Sequence, residues 1–175
     1  MKRRSHGFSL VEVLVALIVM SVGLLGIAKM QAAALSNTAI ASTRSLAAIE
    51  AASLAASMHS NRGYWSSPTV ATSITLQGET VTPSPATLKD CLALSCAPDN
   101  LAAYDLREWT HAAVQVLPPD YQASITCAAT QTPPNCTIRI QWAEKSVGVN
   151  KEGAAQAEND ASDLNLPKYE LYVEP

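Results

Sequence analysis

The chain has 175 residues, of which 48% are hydrophobic but only 5% aromatic, and a formal net charge of −3. Without Lys2, Arg3 and Arg4, nine basic residues stand against 15 acidic ones, a net −6, and the remainder lacks the clustered cations that a nucleic-acid backbone demands. The length suits one modest domain with an N-terminal extension.

Residues 1–7, MKRRSHG, are short, basic and polar. Phe8 to Ala28 follow as 21 residues with a single charge, Glu12, and Lys29 closes the run. At 1.5 Å per residue this is enough helix to cross a bilayer core of roughly 30 Å. The positive residues ahead of it predict a cytoplasmic N-terminus and a remainder on the far side. A single-pass anchor and a cleaved secretory signal both compete for this segment. A signal peptide has an apolar core of about 7–15 residues and a small-x-small cleavage site. Here the core is longer, and only the Ala32-Ala33-Ala34 run resembles such a site. Neither reading accounts for Glu12. A carboxylate inside a membrane segment costs a few kcal/mol and usually marks a specific partner.

Gly7-Phe8-Ser9-Leu10-Val11-Glu12, after a basic leader and before a long apolar stretch, resembles the leader of type IV prepilins. The resemblance implies cleavage between Gly7 and Phe8 by a prepilin peptidase on the cytoplasmic face, then N-methylation of Phe8. Glu12 becomes the fifth residue of the mature chain. Its carboxylate would meet the new terminal amine of a neighbouring subunit, a group with an ordinary pKa near 8. Two buried charges of this kind set the axial register between subunits more than they add stability.

Nothing interrupts the helix at Lys29. Residues 30–61 contain no Pro or Gly and many Ala, the best helix former. One helix from about Phe8 to about Asn61 is expected, near 80 Å long, with Gly63 as its C-terminal cap. Leu35, Ala39, Ser42, Leu46, Ile49 and Ala56 form a narrow stripe at helical spacing. Gly23 and Gly26 are read as points of close helix packing.

Residues 64–90 are rich in Ser, Thr and Pro and read as an irregular connector, with a short hairpin around Ile74-Thr75-Leu76 and Gly78. Asp99 is placed as the cap of a second helix over about Leu101 to Leu117, stopped by Pro118-Pro119. Its apolar face is Ala102, Leu106, Trp109, Ala113 and Val116, with Trp109 in the core and His111 solvated. Tyr121, Ala123, Ile125 and Cys127 then alternate, as do Cys136, Ile138, Ile140 and Trp142, which predicts a hairpin. Tyr169, Leu171 and Val173 mark a last strand beside it.

All four cysteines lie beyond the apolar run, which points to an oxidising compartment and disulfides. Cys-x4-Cys and Cys-x8-Cys are poor zinc spacings with no histidine near them. Four cysteines allow three pairings. The hairpin sets Cys127 opposite Cys136 within bridging distance, which leaves Cys91 with Cys96. Glu158, Asn159, Asp160 and Asp163 match no EF-hand and read as a solvated acidic loop rather than a calcium site. No nucleophile elbow, metal cluster or phosphate loop is present, so no enzyme, cofactor or metal is expected.

Asp105-Leu106-x-x-Trp109, Leu117-Pro118 and Ile138-x-Ile140-x-Trp142 resemble the minor pilins called type IV pilus modification protein PilV. Pro119-Asp120 depart from the glycines usual in that group. The resemblance implies an α+β, type IV pilin-like fold in which a long N-terminal helix packs on a small antiparallel sheet with a second short helix. It divides the chain into a leader (1–7), a membrane or filament-core half-helix (8–28), an extramembrane half-helix (29–62) and a head (63–175). The absence of the proline that major pilins carry near the end of the membrane half argues for an accessory subunit. The implied role is a minor pilin in a priming complex at the pilus tip, supporting assembly, twitching motility and adhesion. Its implied partners are other minor pilins, the major pilin, the prepilin peptidase and the inner-membrane assembly platform. The implied location is the inner membrane of a Gram-negative bacterium with a periplasmic head, and afterwards the cell-surface pilus. A minor pseudopilin of a type II secretion system is the alternative.

Overall fold

Residues 30–61, with no Pro or Gly, continue the apolar N-terminal run without a break, and a single helix results. The computed structural model describes residues 9–128, 130–131, 134–144 and 166–175. Its helix α1 runs from Leu10 to Ser60, 51 residues and about 75 Å. Several of the hydroxyls within it are satisfied locally. Thr38, Thr43 and Ser45 each donate to the carbonyl four residues back, and Ser21 and Ser57 to the one three back.

A single turn, α2 (Arg62–Trp65), follows, then strands β1 (Ser73–Gln77) and β2 (Thr80–Thr82), helix α3 (Pro98–Val116), and strands β3 (Gln122–Ala128), β4 (Asn135–Gln141) and β5 (Lys168–Val173). The strands form one antiparallel sheet in the order β2-β1-β3-β4-β5. The expected α+β, type IV pilin-like architecture is the one observed.

One sheet face is apolar and the other polar, as alternation requires. Ile74, Leu76, Ala123, Ile125, Ile138, Ile140 and Val173 are buried against α1 and α3. On the open face Arg139 faces its register partner Glu170 with Nε 2.7 Å from Oε1. The β3–β4 register sets Ile125 opposite Ile138 and Cys127 opposite Cys136.

Several local expectations fail, each for a reason of packing. Gly63 does not cap α1: the chain leaves the helix at Asn61 with φ −117°, and Gly63 lies inside the α2 turn. A Cβ there would stand 3.1 Å from Pro98 Cγ, so glycine serves close approach. The packed face of α1 is Ala47, Ala51, Leu54, Ala55 and Met58. Leu35 and Ile49 from the predicted stripe are 73% and 60% exposed, because the small alanines on the other side let the head lie closer to the helix axis. Asp99 does not cap α3. Ala97 holds the cap position without a side-chain bond, and Pro98 starts the helix. Val116 is exposed, while Leu117, turned extended at ψ 157°, enters the core in its place. The segment read as an irregular connector carries the buried Tyr64, Trp65 and Val70, while the short hairpin expected around Ile74-Thr75-Leu76 and Gly78 is present as β1 and β2.

Candidate functional site

The N-terminal third of α1 has no cover. Leu10, Val11, Leu14, Leu17, Ile18, Met20, Leu24 and Leu25 are all exposed, as is every other described residue up to Met30. The helix is long and apolar enough to cross a membrane, and none of its most apolar window is buried. A Cβ added at Gly23 or Gly26 would meet nothing within 4 Å. Such a surface, apolar all round, is stable only in lipid or against other helices.

Glu12 sits in the first turn of this bare segment. Its N–H donates to Ser9 O at 3.0 Å, and the N–H of Val13 to the same oxygen at 3.3 Å. Ser9 and Glu12 have the spacing of a capping box, but Ser9 makes no side-chain cap bond. The carboxylate is exposed and forms no hydrogen bond or ion pair with another side chain among the described residues. A favourable position near the positive helix end contributes about 0.3–1 kcal/mol, less than the few kcal/mol of burial in lipid. Gly7 and Phe8, the expected cleavage and methylation positions, lie outside the described residues, as does the acidic stretch of Glu158, Asn159, Asp160 and Asp163.

The other end of α1 is held in the head by polar bonds as well as packing. Trp109 Nε1 donates to the main-chain carbonyl of Glu50 at 2.9 Å, and its ring meets Tyr121 edge-on at 6.4 Å. Tyr121 OH in turn donates to Gly78 O at 3.0 Å, tying the β1–β2 turn to the core. Gly78, at φ +55°, makes that turn possible. Arg44 holds Glu144 with two bonds of 2.9 and 2.7 Å, and Trp142 Nε1 donates to the same carboxylate at 3.2 Å. Burial pushes the carboxyl pKa values of Glu50 and Asp105 up. Asp105 lines an open groove between α1 and α3 with Ser53, Ser57, Glu108 and Trp109.

Two disulfides lie in the head, Cys91–Cys96 and Cys127–Cys136. The second is buried between β3 and β4, while both cysteines of the first are half-exposed. Among the described residues no group of three or more His, Cys, Asp or Glu side chains is placed to hold a metal ion. Sequence reasoning missed the two buried asparagines that tie loops to helices. Asn61 Nδ2 donates to Pro98 O at 2.8 Å, and Asn100 Nδ2 to Thr87 O at 2.9 Å. No periodicity marks them, because each serves one distant carbonyl.

Residues 2–28 match the family model of the prokaryotic N-terminal methylation motif. No curated protein and no solved structure matches the chain. The motif, together with the bare helix behind it, supports a type IV pilin- or pseudopilin-like protein, processed by prepilin peptidase and handled by pilus assembly machinery. It points to a structural protein rather than an enzyme.

Proposed function

We propose that the chain is a minor pilin of a type IV pilus, of the PilV kind, that joins the priming complex at the filament tip and promotes assembly. The observation that carries this reading is one coincidence. The methylation motif covers residues 2–28, and the helix it begins stays uncovered for about 20 residues before a head closes around its far end. A plain anchor accounts for the bare helix but not for Glu12.

On this reading residues 1–7 are the leader, removed between Gly7 and Phe8, and Phe8 is methylated. Residues 8–28 hold the chain in the inner membrane and later lie in the filament core. The section from 29 to 62 links them to the head, 63–175. Glu12 pairs with the terminal amine of a neighbour, so a misplaced subunit leaves two unpaired charges in an apolar core. Other minor pilins, the major pilin and the inner-membrane platform are the partners, and twitching and adhesion are the processes served.

Intact mass and N-terminal sequencing of the protein recovered from membranes test this directly. A chain that starts at methylated Phe8 is the expected result. One that starts at Met1, or at an alanine past position 30, overturns it. Deleting the gene then separates a pilus from a secretion pseudopilus: loss of surface pili with normal exoprotein release is expected.

A further inference from the structure

The segment between β2 and α3 carries a feature that processing and helix packing leave unused. Cys91 and Cys96 close a small loop whose leucines point outward. Leu92 is 86% and Leu94 61% exposed, and Leu88 just ahead of them 45%. Beyond α1, the other exposed large apolar side chains among the described residues are Val114, Val116 and Tyr172, none of them in a loop.

The loop is held in this form from several sides. Asp90 Oδ1 accepts the N–H groups of Leu92 and Ala93 at 3.0 and 3.4 Å, and Leu94 N–H donates to Asp90 O at 3.1 Å. The buried Asn100 fixes Thr87 on one side, and Pro98 on the other is tied to Asn61. A loop restrained in its bound shape avoids the ordering cost that a flexible one meets on binding. Through Pro98 it also stands at the C-terminal end of α1, about 75 Å along the rod from Glu12.

Three leucines fall far short of the roughly 800 Å² per partner that a free-standing complex needs. Their occupant must therefore be delivered by another contact. Packing of α1 between subunits does so, since heads carried on bundled rods meet at high effective concentration; this step rests on the filament reading above. A second copy is a poor occupant. The recess at the opposite pole of the head, lined by Ile40, Pro118 and Trp142, has Glu144 on its wall and Asp120 bonded to the N–H of Ala143 beside it. Arg44 offsets Glu144, but a copy's knob would still bring the exposed Asp90 and Asp99, beside Lys89, toward Asp120 in a recess whose lining carries no cation. The mature chain is also net −6.

We infer that the Cys91–Cys96 loop is a docking knob for the head of a different pilin-like subunit, one that offers an apolar recess rimmed by cations.

The test places a photo-reactive benzoylphenylalanine at position 92 of the full chain in its own cells, with filaments sheared after irradiation and adducts sequenced. The expected adduct is with a different chain that carries the N-terminal methylation motif, lost in Glu12→Ala and absent when the probe replaces Tyr172. Leu92→Ser with Leu94→Ser should reduce the chain in sheared filaments about tenfold or more, with leader cleavage and protease resistance of the head unchanged. An adduct with only a second copy, a lipid or a chain without the motif overturns the inference, as does unchanged incorporation of the double variant. A chain that still carries residues 1–7 instead refutes the filament reading itself, before any adduct is sought.

Discussion

The indole N–H of Trp109 on α3 donates to the main-chain carbonyl of Glu50 on α1 at 2.9 Å. That oxygen has a second lone pair beyond the one used within the helix. The bond therefore joins two helices 59 residues apart in sequence without breaking either. Trp109→Phe should keep most of the burial and lose the bond, about 1 kcal/mol. Trp109→Ala should cost about 3–5 kcal/mol, a fall of roughly 2–4 °C in Tm for each kcal/mol. Thermal melts of the full chain in detergent check both, with His111→Ala, an exposed position, as a control expected to stay within about 0.5 kcal/mol.

Beside that bond the Glu50 carboxyl titrates above its ordinary 4.5 because burial disfavours its charged form. The sign follows from proton uptake. The folded state holds this proton more tightly than the unfolded chain, so the contribution is complete below 4.5 and is lost as pH rises through the folded value. Asp105 acts in the same direction from 3.8 upward. Glu170, exposed and held down mainly by its hydrogen bond from Arg139, acts in the opposite sense. Glu50→Gln should raise Tm at pH 7 and flatten the Tm–pH curve just above 4.5. An unchanged curve would count against a buried carboxylate at this site.

Glu12→Ala should leave membrane insertion and leader cleavage intact while incorporation into filaments drops. Glu12→Gln should behave the same way, since an amide keeps the shape but not the charge. Immunoblots of sheared filaments against membrane fractions report the ratio. Equal incorporation of wild type and both variants would remove the register role.

The two disulfides should differ in effect. The Cys127–Cys136 loop closes nine residues, and its chain-entropy contribution is about 2–3 kcal/mol; loss of its buried sulfurs adds to that. Cys127→Ser with Cys136→Ser should therefore lower Tm strongly. Cys91→Ser with Cys96→Ser opens a half-exposed loop away from the sheet and should cost less. Melts of the two double variants decide the order.

Helix length, the uncovered apolar run and strand alternation were legible in the residues themselves. Phe8 to Ala28 are apolar on every side, which leaves few alternatives, and Ile125 and Ile138 announce their face through a period of two. The packed face of α1 was not legible. Alanine occurs all around residues 30–56, so several stripes satisfy a period of 3.6 equally well. Ile49 is turned by about 200° from both Ala47 and Ala51 and faces away from the head. The small residues won because what matters is how closely the sheet can approach.

Trp65 and Leu117 show the same division. Trp65 stands in no periodic segment and Leu117 at the very end of one, and both are buried because chain from elsewhere closes over them. Sequence alone determined the rod, its apolar end and the single carboxylate within that end, since helix formation and hydrophobic length depend on residues a few positions apart. Only tertiary structure decided which side of the rod is covered, where the chain leaves it and which leucines remain outside. Those outcomes depend on contacts between segments tens of residues apart, and no local pattern records them.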